Sequence, residues 1–293
     1  MRVARPGLQR DASSPTLAHM AGGLREVALT VRVRVFTLGG DDLATSYGAN
    51  CVAVRGDRAT LLVDPLVAPA HARLVAEALG RDGFPPVTHV ALTHHHTDHA
   101  LGAGWFAAAG ARVVAHRRCA EAMAEEHPGL VAARRSDPRV AGLFADAEPH
   151  APALTFEKRE AVDLGGVRAE MLHLGHGHTA GDAVVVVPSE GVAAAGDLAF
   201  RGYHFNYEQA DRVGVRRSLS ALASLADRFV PGHGLPGGAD VLAEQALYHD
   251  EAERIAREAP DEARAARALL ARFPGHLLAA TVPVAVRFWR QAR

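Results

Sequence analysis

Thr93-His94-His95-His96-Thr97-Asp98-His99 is the stretch that decides how the chain is read. It closes the run from Val87 to Thr93, whose apolar residues read as a strand. Within it stands His94-x-His96-x-Asp98-His99. Imidazole and carboxylate are the usual zinc ligands where thiolates are absent. Crowding so many of them into one loop is costly. Charged together they repel, and buried without partners they lose hydration. A metal ion removes both penalties. Taken alone, the segment also reads as a solvated histidine-rich loop. His95 falls between two of the candidate ligands and is expected to face away from them.

Four other segments share one feature with it. Leu62-Val63-Asp64-Pro65 ends an early hairpin of two apolar runs, Cys51 to Arg55 and Ala59 to Val63. Gly177-His178-Thr179-Ala180-Gly181 follows the predicted strand from Val167 to His173. Ala195-Gly196-Asp197 ends another apolar strand, and Pro231-Gly232-His233-Gly234 ends the last one. Each sets a His or an Asp just past a strand, where loops converge on one edge of a sheet.

Between these points strands alternate with helices, as in a layered α/β protein. Val31 to Val35 alternates apolar and charged residues and reads as a half-buried strand. Residues 68–79 read as a helix stopping at Gly80, and 101–109 as a short one stopping at Gly110. Residues 117–152, rich in Ala, Glu, Arg and Pro, read as inserted helical pieces and loops. Residues 239–293 read as a helical extension packed on the same domain, with breaks at Pro260 and Pro274. The domain proper is expected over 27–238, after a flexible leader over 1–26.

The order Asp, then HxHxDH, then His, then Asp, then His, running from Asp64 to His233, resembles the metallo-β-lactamase fold superfamily. The resemblance implies an α/β fold, a four-layer αββα sandwich of two mixed sheets flanked by helices, with the metal site at one edge. It assigns one metal to His94, His96 and His178. It assigns a second to Asp98, His99 and His233, with Asp197 bridging both. Asp64 then orients a ligand histidine by hydrogen bond. The implied cofactors are two Zn2+ about 3.5–4 Å apart, with iron or manganese suiting the same ligands.

The resemblance further implies hydrolysis by a metal-held hydroxide, with Asp98 orienting the nucleophile. Zinc β-lactamases of this fold carry Cys or Ser where Asp197 stands, so the Asp points to the branch that cleaves esters, thioesters or lactones. The basic C-terminal motif with which glyoxalase II grips glutathione is not found. Three other readings stay open, one of them a β-lactam-hydrolysing member. Persulfide dioxygenases of the fold hold one iron with the equivalents of His94, His178 and Asp197. A non-catalytic metal-binding member would keep the fold alone. Lactonases of the fold place a substrate-contacting tyrosine soon after the bridging Asp. Tyr203 and His204 are the candidates for that contact here.

The 293 residues are 48% hydrophobic and 22% charged, the composition of a globular protein with a sizeable core. Lys+Arg 32 against Asp+Glu 33 leaves a net charge of -1, which argues against a nucleic-acid partner. No apolar run approaches the ~18 residues of a membrane helix, and the first residues lack the apolar core of a secretory signal. The expected setting is the cytoplasm and the expected partner a small-molecule substrate. Cys51 and Cys119 are expected as two free, buried thiols. The insertion and the tail are read as outer-layer packing, a substrate lid or a homodimer face.

Overall fold

The strands follow from apolar residues set at two-residue spacing. The structure is a computed structural model and describes residues 18–19 and 23–291. One sheet has eight strands in chain order: β1 (Ala18–His19), β2 (Arg25–Ala28), β3 (Val33–Thr37), β4 (Asn50–Arg55), β5 (Thr60–Val63), β6 (Val87–Leu92), β7 (Arg112–His116) and β8 (Leu154–Phe156). It is antiparallel through β5 and parallel from β5 to β8. The second sheet holds β9 (Arg159–Asp163), β10 (Arg168–Leu172), β11 (Val184–Val187), β12 (Val192–Phe200) and β13 (Arg228–His233), in the order 13-12-11-10-9. Its only parallel pair is β12 with β13.

Both faces of the first sheet are covered, and β4 shows how. Val52 and Val54 point inward and meet Met171, Val185 and Val187 of the second sheet. Cys51 and Ala53 point outward with Leu62 and Val90, against Ala72, Val75 and Leu79 of helix α1 (Pro69–Arg81). Two further short helices, α2 (Thr97–Ala100) and α3 (Ala103–Ala108), follow β6. The outer face of the second sheet shows Val184, Val186 and Ala193 to Leu219 and Leu222 of α5 (Gly214–Leu222) and to Val241 and Leu242 of α6 (Ala239–Glu258). Helix, sheet, sheet and helix are thus stacked as four layers.

Residues 117–152 are more regular than their prolines imply. A single helix, α4 (Arg117–Ser136), carries Pro128 within it. Its buried residues Cys119, Met123, His127 and Val131 recur every four positions, one stripe facing the domain. The expected leader is corrected at its end. Leu24 is buried and Arg25–Ala28 pair with β3, so these residues belong to the sheet. The leader's residues 1–17 and 20–22 lie outside the described ones. Val31 is exposed, and the strand predicted there begins at Val33 instead. Strand β9 escaped prediction because it lies at the sheet edge and keeps its charged side chains in water.

The tail forms α6, α7 (Glu262–Arg272) and α8 (Val282–Arg290). Tyr248, Ile255, Leu269 and Trp289 enclose Phe205 and Tyr207 from the loop after β12. No helix among the described residues is long and apolar enough to cross a membrane. Cys51 and Cys119 are buried and not joined.

Candidate metal centre

Parallel β5 and β6 end at the same edge, which brings Asp64 beside Thr93 and the histidine loop. Asp64 sits in the left-handed backbone region, at φ 54°, in the sharp turn that ends β5. The parallel pair β12 and β13 brings Asp197 and His233 to that edge from the other sheet. Gly232 makes the approach feasible, because a Cβ there would lie 1.8 Å from Asp197 Oδ1. His178 lies between β10 and β11. Its loop closes around Asp182, which accepts from the backbone N–H groups of Gly177, His178 and Thr179.

Three overlapping clusters result: His94, His96, His178 and Asp197; Asp98, His99 and His233; and Asp64, His94 and His99. Within each cluster the potential ligand atoms lie within 4.8 Å of one another. Asp197 divides its oxygens between the first two. Oδ2 is 3.5 Å from His94 Nε2 and 3.3 Å from His178 Nε2. Oδ1 is 3.1 Å from His99 Nε2 and 3.5 Å from His233 Nε2. Asp98 Oδ2 lies 3.4 Å from His233 Nε2 and 3.5 Å from His99 Nε2.

The outer nitrogen of each ring fixes what the inner one offers. His99 Nδ1 donates to Asp64 Oδ2 at 3.0 Å. His233 Nδ1 donates to the Tyr47 carbonyl at 2.9 Å. Nε2 is therefore the nitrogen that each ring turns to the site, and the two face each other at 3.3 Å. Thr93 Oγ1 donates to Asp64 Oδ2, so it accepts from His94 Nδ1 at 3.0 Å and leaves His94 Nε2 bare. One carboxylate, Asp64, thus orients a histidine of each set. His178 has no such outer partner. Its Nε2 points at His96 Nδ1, 2.9 Å away, and at Asp197 Oδ2.

These residues fit metal ions. His94 Nε2 and Asp197 Oδ1 are buried and lack a hydrogen-bond partner, an arrangement that is costly until a cation enters. Charge points the same way. Burial disfavours an ionised Asp197, but His99, His233, His94 and His178 outweigh it and hold the carboxyl well below its usual range. Burial likewise opposes charge on His233, yet Asp197 and Asp98 raise it to about 9. His99 is raised for the same reason. The carboxylates demand positive charge beside them, and protons supply it where a cation is absent. Burial lowers His178 to about 3, leaving it the neutral ligand form.

The sets lie at the floor of a cavity of about 430 Å³. His96, Asp98, Asp197 and His233 line it, with Tyr47, Glu126, Leu130, Phe200, Asn206, Glu208, Gln209 and Leu278 around them. The predicted contacts Tyr203 and His204 are corrected here, since neither lines the cavity. Tyr203 is buried, and its hydroxyl donates to the Gly40 carbonyl. His204 is buried against Tyr248, whose hydroxyl meets its Nδ1 at 3.0 Å. Asn206, Glu208 and Gln209 face the cavity from that loop instead.

Tyr47, Glu126 and Gln209 were not foreseen. Tyr47 and Ser46 both adopt positive φ, 52° and 56°. Ser46 Oγ donates to the Asp98 carbonyl, so this strained turn braces the second set. Helix α4 also reaches the histidine loop: His127 Nε2 donates to the His95 carbonyl at 2.7 Å, and Arg134 to Thr97 Oγ1 at 2.6 Å. His95 faces away from both sets, with Nε2 3.4 Å from Glu126.

Residues 44–234 match the family model described as the metallo-beta-lactamase superfamily. The chain belongs to that superfamily. Its fold matches the metallo-beta-lactamase from Pontibacter korlensis at a TM-score of 0.64 and 20% identity, covering 78% of this chain and 99% of that one. DIM-1 metallo-beta-lactamase matches at 0.62 and 17%, covering 81% and 100%. The α subunit of 2,4-dinitroanisole O-demethylase from Nocardioides sp. (strain JS1661) is 28% identical over 209 residues. That covers 69% of this chain and 56% of the relative, so the chain spans about half the length of the curated relative it matches. The superfamily's metal binding is consistent with the His and Asp clusters of this chain.

Proposed function

We propose that the chain is a dinuclear metal-dependent hydrolase that cleaves an ester, thioester or lactone. The observation that carries the reading is Asp197, which turns one carboxylate oxygen to each set. His94, His96 and His178 would hold one ion and Asp98, His99 and His233 the other. Two bound divalent ions supply Lewis acidity and a water of pKa near 7. The chain's own groups do the rest. Asp98, kept ionised by His99 and His233 against burial, stands at the cavity floor to accept a hydrogen bond from an attacking water. Phe200, Leu130 and Leu278 give the cavity apolar walls.

Among the described residues neither Lys nor Arg lines that cavity, whereas Glu126 and Glu208 do. This charge distribution supports neutral or amine-bearing acyl substrates over carboxylates. Mononuclear iron chemistry on His94, His178 and Asp197 would leave the complete set of Asp98, His99 and His233 without a task. The O-demethylase relative supports adding aryl methyl ethers to the substrates tried. The test is metal analysis by elemental mass spectrometry, followed by a screen of esters, thioesters, lactones and such ethers. Two zinc ions per chain with hydrolysis of an acyl substrate is the expected result. One iron per chain with oxygen uptake on a persulfide would overturn it.

A further inference from the structure

We infer that Gln209 is a positioning residue for the first donor set, holding His96 through its side chain and the His178 loop through its backbone. The inference rests on the reading that His96 and His178 share a metal. Gln209 Oε1 lies 3.0 Å from His96 Nε2. Gln209 Nε2 donates to Glu126 Oε1 of α4 at 3.2 Å. A carboxylate only accepts, so Glu126 fixes which end of the amide faces it. The amide oxygen is thereby turned to His96, whose Nε2 must carry the proton and donate. That leaves His96 Nδ1 as the bare lone pair, and it is Nδ1 that faces His178 Nε2 at 2.9 Å.

The backbone of Gln209 does the second task. Its carbonyl accepts from His176 Nε2 at 2.7 Å, two residues before His178. Asp211 N donates to the Gly177 carbonyl at 2.8 Å and ties the same two loops again. One residue therefore links three parts of the chain that are distant in sequence: the histidine loop, the His178 loop and helix α4. His96 and the loop that carries His178 are both tied to it. Outer partners of ligand histidines contribute about 10–100-fold to metal affinity.

The test is zinc titration of the metal-free protein against a chromophoric chelator, with the visible spectrum of the cobalt form as a second readout. Gln209→Ala is expected to weaken one ion per chain about tenfold or more and to leave the other unchanged. Gln209 is exposed, so the fold should survive the change. The exchanged pair Gln209→Glu with Glu126→Gln keeps an acceptor for His96 and a donor between the two positions. It is expected to restore parental affinity and the parental cobalt spectrum. Parental affinity for both ions in Gln209→Ala would overturn the inference and leave the metal reading standing. So would loss that the exchanged pair does not restore, since the loop would then act only as scaffold. A parent protein that binds no metal after reconstitution would overturn both.

Discussion

Two groups of buried histidines, His99 and His233 at the sheet edge and His204 and His249 beneath the C-terminal helices, carry charge in opposite ways. At the sheet edge, His94, His99 and His233 tie one nitrogen outward, to Thr93, Asp64 and Tyr47, and turn the other inward. Those inner nitrogens converge with two carboxylates. Beneath the C-terminal helices, His204 and His249 are equally buried, but each meets a tyrosine hydroxyl, of Tyr248 and Tyr207. No carboxylate lies within ion-pair distance of either among the described residues. Burial pushes His204 down to about 4 and His249 to about 3, while the carboxylates at the edge raise His233 to about 9. Burial alone does not mark a ligand. The partner of the outer nitrogen, and the charge that faces the inner one, do.

The sharpest way to break this contrast is Asp197→Ala. It removes the one group that faces both sets, and the expected loss is both metal ions and about a thousandfold or more of turnover. Elemental analysis beside kinetics checks it. A variant that keeps two ions would show that the bridge is dispensable. Asp98→Ala or His233→Ala is expected to remove one ion only and most of the turnover. Full activity in a verified single-metal variant would sink the dinuclear mechanism. Asp64→Asn comes next. Asp64 orients His99 directly and His94 through Thr93, so affinity at both sites should fall by about 10–100-fold. A fall at one site alone would separate the direct bond from the relayed one.

The sequence was most legible where chemistry and spacing coincide. His94-x-His96-x-Asp98-His99, placed at the end of an apolar strand, shows its purpose because few other uses justify those groups together. Apolar runs such as Val184–Val187 announced buried strands for the same reason: covered on both faces, they have no polar side to show. Glu126 and Gln209 gave no such signal. Both are ordinary polar residues, and their role arises only when the loop after β12 meets α4 across 83 positions of sequence. Tyr203 misled because its closeness to Asp197 in sequence does not carry into the cavity. The chain turns it toward Gly40, and Phe200 takes the place at the wall.

The smallest expected effect compares the two histidine regions by pH in the metal-free protein. His249 is neutral when folded, with burial and then Arg216 holding its pKa at about 3, against about 6.5 in an unfolded chain. The unfolded state therefore binds more protons as the pH falls from about 6.5. This histidine's contribution is fully present above that pH and declines by up to about 1.4 kcal/mol per pH unit toward pH 3. His233 has the opposite sign. Its raised pKa gives stability that is complete below about 6.5 and is lost as the pH rises through about 9. Denaturant midpoints at several pH values should therefore fall on both sides of neutrality. Bound metal should remove the alkaline decline, because the cation then balances Asp197 and Asp98 in place of the protons. His249→Gln should make the acid decline shallower, with His178 and His204 still contributing, and leave the alkaline one. An acid decline of unchanged slope in that variant would mean that other groups govern it, and that His249 does not respond to pH as its burial implies.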